Sequence, residues 1–90
     1  MRSRSLVLAR VATIELAAEE LNSASASSER LEAGSREAHK LAGLLGTFGL
    51  ERGTKLARDL EEHLTGPNAR RESSRLRRLA GDLRATVQEH

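Results

Sequence analysis

The chain has 90 residues, 15 Lys and Arg against 13 Asp and Glu, a formal charge of +2, and Phe48 as its one aromatic. That length supports one small domain over residues 1–90, with a core of Leu, Val, Ile and Ala. The lack of cysteine excludes a disulfide framework and a thiolate metal site, and no apolar run reaches the ~18 residues of a membrane span.

The first residues, Met1 to Ala9, combine a positive start with a short apolar stretch. Arg10 and Glu15 interrupt it before a signal-peptide apolar region is complete, so a cytoplasmic address is expected. Helix one is predicted over residues 5–22, with Val7, Val11, Ile14, Ala18 and Leu21 repeating as a bundle seam. The small polar residues 22–28 form a linker, in which Ser27 or Ser28 can cap the next helix. Helix two is predicted over residues 29–48, with Leu31, Gly34, Ala38, Leu41, Leu45 and Phe48 inward; Gly34-Ser35 is a point for a kink or a late start. Gly49 suits its end.

Helix three is expected over residues 51–64, with Leu56, Leu60 and Leu64 inward. Thr65-Gly66-Pro67-Asn68 is a clear stop. Helix four is expected over residues 69–88, on Leu76, Leu79, Leu83 and Val87. Four apolar stripes joined by short connections predict an all-α protein, an antiparallel up-down-up-down four-helix bundle. Arg70, Arg71, Arg75, Arg77 and Arg78 make the one basic cluster. Glu72 and Asp82 dilute it and no aromatic interleaves it, so it reads as a solvated helix face and not as a nucleic-acid patch.

The segment His39-Lys40-Leu41-Ala42-Gly43-Leu44-Leu45-Gly46-Thr47-Phe48-Gly49-Leu50 carries the chemistry. At about 100° per residue, Ala38, Leu41, Leu45 and Phe48 share an apolar stripe, while His39, Gly43 and Gly46 fall on a neighbouring stripe turned away from it. A helix-interior glycine costs roughly 1 kcal/mol relative to alanine, so two on one face need a reason. Clearance for a bulky partner reaching His39 is one. Imidazole is nucleophilic when neutral and titrates near physiological pH, which suits a carrier of protons or of a transferable group. The glycine spacing is not that of a nucleotide loop, follows no strand and lies within a helix. His63 near the end of helix three suits the helix dipole. Glu61-Glu62-His63 lacks a second histidine at ligand spacing, so no metal site is expected. His90 is a terminal residue without an assigned role.

These residues resemble a known signature. His39-x-Leu41-x-Gly43-x-x-Gly46-Thr47-Phe48-Gly49-Leu50 is similar to the motif of histidine-containing phosphotransfer (HPt) domains, and the Gly-Thr-Phe-Gly stretch to the phosphotransfer domain of chemotaxis-type histidine kinases. Leu56-Ala57-Arg58-Asp59-Leu60-Glu61 resembles the family's following helix, so the likeness spans about residues 38–61. It implies that His39 accepts a phosphoryl group from a kinase or a receiver-domain aspartate and passes it to another receiver. The chain itself would hold no cofactor or metal, with Mg²⁺ on the partner. It also implies that an acid at Glu61 accepts a hydrogen bond from Nδ1–H of the histidine and leaves Nε2 as nucleophile.

Gly43, Gly46 and Ala42 are expected on the docking face. One departure stands out: the family commonly has lysine three residues after the histidine, where this chain has Ala42. Lys40 and Arg36 are candidates to substitute. Ninety residues leave no room for an ATP-binding domain beside the bundle, so the chain is expected to be a phosphocarrier and not a kinase, and a monomer. A degenerate HPt-like interaction module without phosphotransfer is the alternative.

Overall fold

A computed structural model describes residues 4–23 and 27–89, with Arg4 described in its backbone alone. The centre of the predicted linker and His90 lie outside the described residues. Four helices follow in order: α1 (Arg4–Glu20), α2 (Ser28–Thr47), α3 (Glu51–Leu64) and α4 (Ser73–Glu89), with no strand among the described residues. Each packs on the next, α4 closes back on α1, and α1 meets α3 only marginally across the diagonal. The resulting rod is 38 Å long and 19 × 18 Å across, the width of two packed helices each way.

Neighbouring helices run antiparallel, as the cross-links show. Arg30 near the start of α2 pairs with Glu20 at the end of α1 (2.5 Å), and Arg10 early in α1 pairs with Glu37 well along α2. Arg84 grips Glu15 with two nitrogens, Nε to Oε2 at 2.9 Å and Nη2 to Oε1 at 2.6 Å, tying α4 to α1. That hydrogen bond to Glu15 raises the guanidinium pKa above its ordinary value.

The expected stripes form the core. Val7, Val11, Ile14, Ala18 and Leu21 of the first seam are all buried, as are Leu41, Leu45, Leu60, Leu64, Leu76 and Leu83. Each large aliphatic side chain so buried contributes roughly 1.5–3 kcal/mol. Leu31 and Leu79 are half-buried against this cluster.

Four expectations change. Phe48 is 42% exposed instead of inward. Helix α2 ends at Thr47, and Gly49 adopts φ +73°, the left-handed conformation that glycine takes without a Cβ penalty. Leu50 N–H then donates to Leu45 O (2.9 Å) and Gly49 N–H to Gly46 O (3.1 Å), the paired bonds of a Schellman stop. This reversal turns Leu50 back against the core and leaves Phe48 outside.

Helix α4 begins at Ser73, not near residue 69. Beyond Pro67 the chain makes short turns, with Glu72 N–H bonding to Ala69 O and Asn68 O, and Ala69 alone of these residues is buried. Gly34 is no kink: a Cβ there would lie 2.5 Å from the Ala17 Cβ, so it is the point of close approach between α1 and α2. Ser27 holds the extended N-cap conformation, but its hydroxyl makes no capping bond; only its carbonyl is engaged, accepting from Leu31 N–H at 3.1 Å.

Candidate functional site

Antiparallel packing of α2 on α3 sets two side chains against each other. His39 Nδ1 lies 2.8 Å from Glu61 Oε2, with the histidine side chain 72% exposed and the glutamate 35%. An ionised carboxylate only accepts hydrogen bonds. The neutral imidazole facing it therefore carries its proton on Nδ1 and presents the lone pair of Nε2. A pair this open to water contributes about 1 kcal/mol at most. Its effect is on the orientation and tautomer of the ring more than on stability.

Glu61 is itself held. Its carbonyl is among the last four of α3, which have no intrahelical partner of the usual kind. Ser35, one turn before His39 on α2, donates its hydroxyl to that carbonyl at 2.8 Å. The sequence marks Ser35 only as part of the Gly34-Ser35 weak point and not as a site residue. The available signal was a small hydroxyl residue one turn ahead of the histidine, on a helix where serine has no propensity advantage.

Ser35, Arg36, His39, Lys40 and Glu61 line one shallow recess. Lys40 Nζ lies 3.7 Å from Glu37 Oε1, and Glu37 also pairs with Arg10. Arg36 is exposed and has no ion pair among the described residues. On the other side of His39 the helix is bare: a Cβ at Gly43 would meet nothing within 4 Å, and one at Gly46 only Thr54 Oγ1 at 3.8 Å. Gly46 also borders a second recess along α3, with Thr54, Lys55 and Arg58.

Ala42 does not share this surface. It is 5% exposed and belongs to the core cluster, so its expected place on the docking face is corrected. The reason is angular: Ala42 lies one residue past Leu41 and three before Leu45, both fully inward, and the side of α2 that they turn inward includes it.

His63 sits in a second pair, its Nδ1 3.3 Å from Glu72 Oε2, with both side chains about one-third exposed. Arg75 approaches Glu72 and Asp59, each at 3.9 Å, so the cluster links the end of α3 to the start of α4. Asp59, Glu62 and His63 place ligand-type atoms within 4.8 Å of one another, an arrangement that the ligand spacing in the sequence did not suggest. No helix among the described residues is long and apolar enough to cross a membrane.

Neither the curated proteins nor the solved structures returned a match. The family model of the Hpt domain matches residues 7–89, which takes in all of α2 and α3 and nearly all of α1 and α4. Hpt domains are phosphocarriers in histidine phosphotransfer signalling and work with kinases and receiver domains. With four helices in the bundle arrangement and the match over almost its full length, the chain belongs to the Hpt domain family.

Proposed function

We propose that His39 carries a phosphoryl group on Nε2, between a kinase or receiver-domain aspartate and the aspartate of another receiver. One observation carries this reading: Nδ1 is engaged by Glu61, which leaves Nε2 as the open nitrogen of a side chain 72% exposed, on a helix whose next turn is bare at Gly43. In the loading step the Nε2 lone pair attacks phosphorus. The P–O bond to the donor aspartate breaks, and its electron pair stays with that carboxylate. The ring becomes cationic, and its Nδ1–H bond to Glu61 becomes charge-assisted and stronger. In the unloading step the P–Nε2 bond breaks, the electron pair returns to nitrogen, and a new P–O bond forms on the acceptor.

The chain's own contribution is positioning, which accounts for most of what phosphoryl transfer needs, and Mg²⁺ on the receiver neutralises the phosphoryl oxygens. This role fits a cytoplasmic monomer. The competing reading, an interaction module that has lost transfer, is favoured by one observation, the alanine at position 42. Incubation with a phosphorylated receiver separates the two. Acid-labile, base-stable label that disappears in His39→Gln, with helical content kept, supports the carrier. Tight receiver binding with no label on the wild-type chain supports the module.

A further inference from the structure

We infer that Arg36 binds the phosphoryl group carried by His39, supplying the positive charge that position 42 does not; this rests on the reading of His39 as phosphoacceptor. Side chains of an α-helix lean toward its N-terminus, so the His39 ring overhangs the turn that bears Ser35 and Arg36. The shared recess lies on that side, lined by Ser35, Arg36, His39, Lys40 and Glu61. Glu61 occupies Nδ1, so a group added to the ring projects from Nε2 into solvent beside this recess.

A phosphoryl group there brings close to two negative charges near the Glu61 carboxylate. Three charged groups line the recess besides the ring: Arg36, Lys40 and Glu61. Lys40 also lines a recess against α1 with Arg10 and Glu37, its Nζ 3.7 Å from Glu37 Oε1. Arg36 is exposed and has no ion pair among the described residues. Its planar guanidinium matches two phosphoryl oxygens at once, which an ammonium does not. Ala42 is buried in the core, so the usual position for a cation is closed in this chain.

Phosphoramidate tests the assignment without any partner protein. Nε2 displaces ammonia: the P–N bond of the reagent breaks and the P–Nε2 bond forms. Phosphorus NMR then follows the titration of the phosphoryl group on His39. Arg36→Ala should move that titration up by a few tenths of a pH unit, because a nearby cation favours the dianion, and should slow labelling several-fold. Arg36→Lys should recover part of both. Arg78→Ala removes the same charge from an exposed site on α4, a helix that makes no contact with α2, and should move neither. A wild-type chain labelled at His39 whose titration is unchanged by Arg36→Ala overturns the role of Arg36 alone. So does a larger shift in Lys40→Ala than in Arg36→Ala. A wild-type chain that takes no label at His39 overturns both the phosphoacceptor reading and this inference.

Discussion

The described residues include two histidine–carboxylate pairs made of the same groups, and they differ in everything around them. His39 meets Glu61 at 2.8 Å with its ring 72% exposed, beside a glycine that leaves open space. His63 meets Glu72 at 3.3 Å with its ring 33% exposed, and Arg75 reaches the same carboxylate. The second pair lies where the end of α3 meets the segment leading into α4, and no hydrogen bond joins its two groups: the facing Glu72 oxygen is buried and unbonded. The first fastens little, since α2 and α3 are already joined by a shared core. On the proposed assignment, then, His39 is set apart from His63 less by its partner than by its exposure and by the nitrogen that its partner leaves open.

Removing each ring in turn should have the greatest consequence. His39→Gln should abolish receiver-dependent labelling, and His63→Gln should leave it intact; retained label in the first variant, or its loss in the second, would reverse the assignment. Next comes bulk. Gly43→Arg should reduce transfer at least tenfold, while helix propensity raises stability by several tenths of a kcal/mol. Gly34→Ala should do the opposite, lowering stability by about 1–3 kcal/mol through the clash with Ala17, with transfer by the folded fraction unchanged. Thermal melts and single-turnover transfer rates measured on both variants check this.

A smaller effect is expected from the carboxylates. Glu61→Gln should slow transfer several-fold and shift the His39 tautomer population away from Nδ1–H, as read by nitrogen NMR. Glu72→Gln should leave both unchanged and cost about 1 kcal/mol or less of stability. Smallest of all, Lys40→Ala removes an exposed i,i+3 pair with Glu37 and should change stability by under ~0.5 kcal/mol. A larger loss in a chemical melt would show that the Arg10–Glu37–Lys40 group acts as a unit.

Periodicity made the fold legible. Every seam residue expected on α1 and α3 is buried because their apolar spacing is regular, while the small residues Ala17, Gly53 and Ala57, buried beside them, carry too little hydropathy to stand out. Phe48 departs from the stripe because α2 stops at Thr47, one residue short of it, and that stop is written in hydrogen bonds instead of hydropathy. The start of α4 was set too early for a similar reason: Ala69 is buried and looks like a helix residue, yet it lies in a run of turns. Ala42 shows the limit of motif reading. A family position can name the residue type expected at a site, but the angular width of the core decides which way that position faces. Arg36 and Lys40 look alike in the sequence, since each has an acid one turn away on the same helix, Glu32 and Glu37, and only the structure shows that Lys40 approaches its own.

The bond from Ser35 to the Glu61 carbonyl has a mechanical meaning. Glu61 is held to α2 twice, once through its main chain by Ser35 and once through its side chain by His39. Sliding α3 past α2 by one residue, about 1.5 Å along the axis, would break both bonds together. The placement of a single proton in the imidazole is thereby tied to the register of two whole helices, and shearing one against the other would release the ring from Glu61 without touching it.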